Sequence, residues 1–583
     1  MTGVKNQKWW GWGDEGVAFS IGNKPKFKPF VLDVMDVDLD AIPVKRPQFD
    51  ELTVPASELS DDLRARLVEA AGEANVFLDD EVRVAHCYGK GVRDLVRLRQ
   101  NILGRIPDVV VYPGTEDEVV AIVDAVIAAD GVLIPYGGGS NIVAALEAVP
   151  GETRQVVSMD MGRLNKVLEI DEVSGLARIQ AGTYGPDMEK QLNARGWTLG
   201  HFPDSFLWST VGGWVATRSS GNQSDKYGDI ADITRGMRVV LPSATATDRV
   251  PGQCTQVLHL NPLPSSSSGP SVREMIIGSE GRLGVITEVS MNVHRLAEHK
   301  EIQAYFFPDY ASGLKAAEEI CHSDASPVMV RVSDANETRF SMANSSGGKS
   351  TVSKYVNKAV EKVMVAKGWD LNEICLSFIG FEGSAVNVRF QKGLVAKIVR
   401  KWGGMGVGKG PGSMYDEKKF DIPYIRDFLL DRGIPADVSE TTSTWANALT
   451  MHDETVQRAQ EAFDATGHKG FIMCHISHSY RIGACQYFTF AVADNNPDTV
   501  LETYDAVKQA VQQSFMDHKG TVSHHHGVGE EHSPWMAQDI SEAGVHVQKV
   551  LFEGVDPGHN LNPGKIIHDG LPGVSSNSQQ PGA

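Results

Sequence analysis

Three successive glycines follow directly on an apolar run at Val132-Leu133-Ile134-Pro135-Tyr136-Gly137-Gly138-Gly139-Ser140-Asn141. The aliphatic and β-branched residues favour a buried strand. Consecutive glycines, lacking Cβ atoms, let the backbone turn sharply and aim successive N–H groups at one anion. Upstream, residues 108–112 form a second short β-branched run and Pro113-Gly114-Thr115 a turn. Val119, Val120, Ile122, Val123, Val126 and Ile127 then recur with the period of a half-buried helix. A strand–helix–strand unit ending in a glycine loop is predicted. The loop suits a diphosphate, with a crowded, ligand-free turn as the alternative.

Composition narrows the classes. The chain has 583 residues, 42% hydrophobic and 22% charged, which describes a soluble globular protein of several domains. Its net charge of −19 argues against nucleic-acid binding. No apolar run reaches the length of a membrane span, and the start at Lys5-Asn6-Gln7-Lys8-Trp9-Trp10 lacks a signal-peptide core. Six cysteines without a CxxC pair read as reduced core residues, so a cytoplasmic protein is expected.

Residues 1–95 are expected as an N-terminal helical extension, in which Ser60-Asp61-Asp62 caps a helix carrying Leu63, Leu67, Val68 and Ala71. Residues 96–296 mix short strands at 155–159, 167–170 and 176–180 with a helix at 186–196. From 297 to 520 longer helices, among them 354–367 and 382–402, alternate with strands as in a second domain. Residues 521–568 are expected to form a C-terminal segment, and 569–583, rich in Gly, Ser, Asn, Gln and Pro, to be a disordered tail. Residues 260–271 and 344–350 read as solvent loops. No GxGxxG with a following acid marks a Rossmann site. Gly403-Gly404-Met405-Gly406-Val407-Gly408-Lys409-Gly410 nearly matches a phosphate loop but has Gly410 where Ser or Thr would hold Mg²⁺, and is expected to be a mobile loop.

Two further glycine-rich stretches follow the first glycine loop: Ser209-Thr210-Val211-Gly212-Gly213-Trp214-Val215-Ala216-Thr217-Arg218-Ser219-Ser220-Gly221, preceded by Asp204-Ser205-Phe206-Leu207-Trp208, and Gly278-Ser279-Glu280-Gly281-Arg282-Leu283-Gly284-Val285-Ile286-Thr287. In this order, with Asp556-Pro557 and Asn562-Pro563-Gly564-Lys565 near the end, they resemble the FAD-binding superfamily of vanillyl-alcohol oxidase and p-cresol methylhydroxylase. Lys8-Trp9-Trp10-Gly11-Trp12-Gly13, Pro423-Tyr424-Ile425-Arg426-Asp427, Gly483-Ala484-Cys485-Gln486-Tyr487-Phe488 and Ser523-His524-His525-His526-Gly527-Val528-Gly529 narrow the resemblance to its alkyldihydroxyacetonephosphate synthase family.

That resemblance implies an α+β, two-domain FAD-binding fold, with an α/β flavin-binding domain and an α+β cap. FAD is expected to be non-covalent, contacting residues 135–141, 204–210, 217–220 and 280–286. The reaction it implies exchanges the acyl chain of acyl-dihydroxyacetone phosphate for a fatty alcohol without net redox, the flavin trapping the three-carbon unit. Tyr487, His524, His525 and His526 are the implied catalytic residues, and Arg426, Arg331 and His201 the implied substrate-binding ones. Lipid substrates imply contact with a membrane surface, and a homodimer is expected.

The residue types fit these roles. Histidine titrates near neutrality and suits a base. In an extended segment His524 and His526 would face one side and His525 the other. A metal site with His532, or with His475 and His478, is the weaker alternative, and no metal is expected. Tyr487 needs a polarising neighbour to exchange protons at pH 7, a part the histidines could take. Guanidinium grips phosphate bidentately, although a salt bridge to a cap carboxylate would also account for either arginine. The competing function is an FAD-linked dehydrogenase or oxidase of a 2-hydroxy acid or lipid alcohol.

Overall fold

The computed structural model describes residues 4–243, 254–345 and 360–567. The predicted strand–helix–strand unit is present. β1 (Val76–Phe77), β2 (Val109–Val111), β3 (Val132–Tyr136) and β4 (Val156–Asp160) form a sheet in the order β1-β2-β4-β3, with β2, β4 and β3 parallel. All three residues of β2 are buried, as expected for a parallel strand covered on both faces. The helix Glu116–Ala128 starts where the Thr115 side chain accepts the Glu118 N–H, and it buries Val119, Ile122, Val123 and Val126. The glycine loop leaves the carboxyl end of β3, where α/β sheets place their ligands.

A second sheet joins β5 (Val167–Asp171), β6 (Leu176–Gln180), β8 (Thr234–Pro242), β9 (Thr255–Leu260) and β10 (Val285–Asn292) in the antiparallel order β5-β6-β10-β8-β9. The short β7 (Trp197–Thr198) pairs with β11 (His294–Arg295). The helix expected at 186–196 runs Gly185–Asn193.

The cap is built on seven antiparallel strands: β12 (His299–Phe307), β13 (Met329–Ser333), β14 (Cys375–Gly383), β15 (Met405–Gly408), β16 (Ala436–Thr444), β17 (Gly470–Ser479) and β18 (Gly483–Val492). Their order is β15-β12-β14-β13-β17-β18-β16. Helices Tyr310–His322, Ala385–Lys401, Ala448–Thr466 and Val500–Asp517 pack on one face through Val330, Val332, Cys474, Ile476, Phe488 and Phe490. Alternation then turns Arg331, Met473, His475, Tyr487 and Thr489 to the opposite face, against a cavity.

Two expectations need correction. The glycines at 403–410 are not a free loop. Met405–Gly408 is edge strand β15, paired with β12, and Gly410–Lys418 is helical. In the region read as one helix from 382, Cys375–Gly383 is strand and the helix starts at Ala385, capped by Ser384. Residues 354–359 of the other expected helix, and the tail at 569–583, lie outside the described residues.

The N-terminal extension carries helices, among them Phe27–Met35, Asp61–Ala71 and Asp80–Ala85, and its described part from residue 4 also forms a strap between the domains. Ser60 does cap Asp61–Ala71, burying Leu63, Leu67 and Ala71. Before it, however, Trp9 and Trp12 are buried in the body of the molecule. Gln7 Nε2 donates to the Gly138 carbonyl at 2.7 Å, and Lys8 Nζ lies 3.2 Å from Asp427 on the helix Ile422–Leu430. The same carboxylate accepts the Trp12 N–H at 2.7 Å. The C-terminal segment returns likewise: Asn562 N donates to the Leu133 carbonyl at 2.9 Å, and Leu133 N to that of Asn560 at 2.7 Å.

Because Lys8 and Asp427 are buried together, removing one partner leaves an uncompensated charge. Asp427→Ala should cost about 3–5 kcal/mol, read as a lowered melting temperature. Lys8→Met combined with Asp427→Leu should recover much of that loss.

Candidate functional site

A cavity of about 1570 Å³ lies between the flavin-side sheets and the cap sheet. On the flavin side it is lined by residues 135–141, by Asp204, Ser205, Ser209, Thr210, Thr217, Ser219 and Ser220, and by Glu280, Gly281, Gly284, Val285 and Ile286. The glycines are needed because the loop lies flat on its neighbour. A Cβ on Gly138 would overlap the Trp208 carbonyl, and one on Gly137 the Thr210 hydroxyl. Gly139 has φ +66°, where a side chain would also be strained. Among the described residues, the amides of Gly137, Gly138, Gly139 and Ser140 have no protein acceptor. Buried N–H groups need partners, so a row of such donors in a large cavity fits the diphosphate of FAD.

Not every expected contact reaches this space. Phe206 packs between Trp214 and Phe420, Trp208 is buried with Trp12 and Tyr184, and Leu207 packs at the edge of that cluster. Arg218 turns away to Glu274 at 3.1 Å. Arg282 donates to the Lys565 carbonyl and stacks on Phe552, and Leu283 belongs to the core. His201 is also behind the wall: it is fully buried, with Nε2 2.8 Å from the Ser219 hydroxyl, so it supports a lining residue and is not itself part of the cavity lining. Gly212, Gly213 and Asn562 also line the cavity.

On the cap side, register brings three groups together. Tyr487 on β18 is paired with His475 on β17 and with Glu440 on β16, and its ring stacks on His475 at 4.9 Å. His525 also stacks on the ring at 5.8 Å, and His526 meets it edge-on at 5.5 Å. Next to them, Arg331 Nη2 donates to Glu337 at 2.6 Å, and Glu337 lies 2.7 Å from His475 Nδ1. Burial opposes the Glu337 charge, but His475 and Arg331 outweigh it and hold the carboxyl at about 2. Arg331 therefore does have the cap carboxylate as a partner. Arg426 lines the cavity with its Nη1 donating to the Lys90 carbonyl. Its Nε and Nη2 have no hydrogen-bond acceptor among the described residues, the Asp427 carboxylate being 3.5 Å from Nη2.

The histidine loop does not alternate as a strand. His525 and His526 line the cavity, whereas His524 turns away to Tyr480, with Nε2 2.5 Å from the phenol oxygen. The cause is Glu440, which sequence reasoning passed over. This buried carboxylate accepts the amides of His524 (2.5 Å), His525 (3.1 Å) and His526 (3.0 Å) and the Ser523 hydroxyl (2.8 Å). Three successive amides converging on one carboxylate curl the backbone. The only signal in sequence is a single acid among small hydroxyl residues in Ser439-Glu440-Thr441-Thr442-Ser443. Across the loop, Glu280 accepts the amides of Val528 (2.6 Å) and Gly529 (2.9 Å). Burial pushes Glu280 up to about 7 against the pull of those amides.

Desolvation sets the protonation states. Burial lowers His524 and His526 to about 4, with His478 and Lys508 respectively adding to the effect, and lowers His525 further beside its two neighbours. All three are neutral at pH 7. Tyr487 is raised well above 10 by burial and by the Asp204 and Glu440 carboxylates. The histidines thus do not acidify it, and it stays a neutral phenol. His478, Cys485, His524 and His525 bring ligand atoms within 4.8 Å of one another, as do Glu440, His525 and His526. Both ring nitrogens of His478 and of His524 already have protein partners.

Comparison with known proteins agrees with this geometry. The family described as "FAD binding domain" matches residues 107–248, and "FAD linked oxidases, C-terminal domain" matches 296–566. An alkyldihydroxyacetonephosphate synthase of Dictyostelium discoideum is 39% identical over 93% of this chain and 85% of its own length. One of Trypanosoma brucei brucei is 33% identical over 99% and 94%. A solved alkyldihydroxyacetonephosphate synthase structure superposes with a TM-score of 0.81 at 33% identity, covering 96% of this chain and 98% of that one. A p-cresol methylhydroxylase structure, at 14% identity, a TM-score of 0.61, and 87% and 98% coverage, shares the fold. With an FAD-type cradle facing a buried tyrosine and histidine cluster, and relatives matched along nearly their whole length, the chain belongs to the alkyldihydroxyacetonephosphate synthase family.

Proposed function

We infer that this chain binds FAD without a covalent link and replaces the acyl group of acyl-dihydroxyacetone phosphate by a fatty alcohol, with no net oxidation. The observation that carries this reading is the apolar continuation of the cavity. Beyond Tyr487 it is lined by Phe30, Val34, Phe340, Met364, Phe378 and Phe471, room that a lipid chain needs and a small 2-hydroxy acid does not. When bound, FAD supplies a trap for the three-carbon unit.

The residues divide the remaining work. Amides 137–140 hold the diphosphate. Arg426, with Nε and Nη2 free of a hydrogen-bond acceptor among the described residues, and Arg331, held in place by Glu337, bind the substrate phosphate in a cavity of an otherwise anionic protein. His525 and His526, neutral and facing the cavity, accept protons from C1 and from the entering alcohol. Tyr487, a neutral phenol between them and His475, donates to the leaving carboxylate and takes the proton back.

The reading extends to contact with a membrane surface. Met342, Leu371, Met414 and Ile422 line the apolar end and are 38–45% exposed, as a mouth taking lipids from a bilayer would be. Among the described residues no helix is long and apolar enough to cross a membrane. For quaternary structure the reading is a homodimer, supported by exposed Val547 and Val550 on one face of the helix Met536–Val555, and sedimentation checks it.

Incubation with acyl-dihydroxyacetone phosphate and labelled hexadecanol should give an ether product without oxygen uptake. A hydroxy acid that bleaches the flavin until an electron acceptor is added, with no ether formed, would establish the oxidase instead. Tyr487→Phe should lower kcat by about 10²–10⁴-fold with flavin content intact. Because burial holds His526 near 4, the base is lost only as pH falls towards that value. The acid limb of kcat should therefore lie below pH 5, and half-loss near 6.5 would remove the histidines from this role.

A further inference from the structure

The exchange leaves a proton behind. The C1–O bond to the acyl carboxylate breaks, a C1–O bond to the alcohol oxygen forms, and the alcohol proton is left over because the departing fatty acid ionises at neutral pH. One proton per turnover must leave a cavity whose lining is largely apolar. On the alkyl-exchange reading above, this release is obligatory.

A line of hydrogen-bonded groups leads out of the cavity. His525, in its lining, has Nδ1 2.8 Å from His524 Nδ1. His524 Nε2 is 2.5 Å from Tyr480 Oη, and Tyr480 Oη is 2.6 Å from Asp229 Oδ2. Tyr480 sits in the turn between β17 and β18, where Ile482 is 79% exposed, and both Tyr480 and Asp229 are partly exposed. None of His524, Tyr480 and Asp229 lines the cavity.

The proton count gives the line a direction. Tyr480 has one hydroxyl proton, and with Asp229 ionised it donates to that carboxylate. Tyr480 must then accept from His524 Nε2–H, which leaves His524 Nδ1 with its lone pair to accept from His525 Nδ1–H. The remaining lone pair is on His525 Nε2. Each donor points outward. A proton taken at His525 Nε2 displaces the one on Nδ1 to His524, the one on His524 Nε2 to Tyr480, and the phenol proton to Asp229. No bond other than N–H and O–H changes, and no oxidant or other reactant is required.

We propose that His525, His524, Tyr480 and Asp229 form a relay that carries the proton released in each turnover from the cavity to the protein surface. Chains of short hydrogen bonds away from water are mutually reinforcing, and this one spends His524, a residue of the triple motif that never faces substrate. Tyr480 and Asp229 act through the histidines and touch no reacting atom.

Tyr480→Phe and Asp229→Asn each cut the line while keeping side-chain volume. In the FAD-loaded enzyme both should lower kcat by at least about tenfold, with KM, flavin content and melting temperature unchanged. A pH-indicator dye in rapid mixing should show the proton appearing in step with carboxylate in the native enzyme and behind it in the variants. Imidazole in the buffer should restore the lost rate. Native kcat and timing in both variants would overturn the relay. So would a slowed rate that imidazole leaves unchanged while proton and carboxylate still appear together. Absence of ether product from the native enzyme is a separate outcome, which removes the alkyl-exchange reading and the relay with it.

Discussion

Two buried carboxylates hold the loop on which the site depends. Glu440, from the edge strand of the cap sheet, gathers the amides of His524, His525 and His526, and Glu280, from the flavin side, gathers those of Val528 and Gly529. Hydrogen bonds to a charged group contribute about 1.5–3 kcal/mol each, and a buried carboxylate without them is costly. The loop and the acids therefore stabilise each other, and the two domains meet through residues 523–529. Without Glu440 nothing would make three consecutive histidines curl, and their rings would not divide between the cavity and Tyr480.

The cap sheet contributes the opposing surface through alternation alone. The residues that pack its helices, such as Val330, Cys474 and Phe488, leave their neighbours Arg331, His475 and Tyr487 on the cavity face. Helix packing and chemistry are thus two faces of the same strands, and a shift by one residue would exchange them. The N-terminal strap and the C-terminal return fix the spacing between sheet and glycine loop. Gln7 reaches the Gly138 carbonyl, and the backbone of Asn560 and Asn562 brackets β3.

Desolvation then decides protonation. The same burial that makes His524, His525 and His526 neutral makes Tyr487 a firm phenol. Proton acceptors and a donor coexist in one cluster at neutral pH because removal from water disfavours the charged form of each. Burial opposes the charge of Glu337 as well, but His475 and Arg331 beside it compensate and keep the carboxyl ionised.

Much of this was legible in the chain itself. The run from Val132 to Asn141, the helix from Glu116, the alternating strand at Tyr487 and the triple histidine are local patterns, set by side-chain period and by glycine's lack of a Cβ. Tertiary structure decided what depends on approach between distant segments. It placed Glu440 under a loop 84 residues further on, set His475 beside Tyr487 by strand register, withdrew His201 and Arg218 from the cavity, and made β15 from glycines that read as a loop. It also decided which histidine faces which way. That choice rests on hydrogen bonds to a carboxylate in another strand, and no local spacing encodes where such a partner will lie.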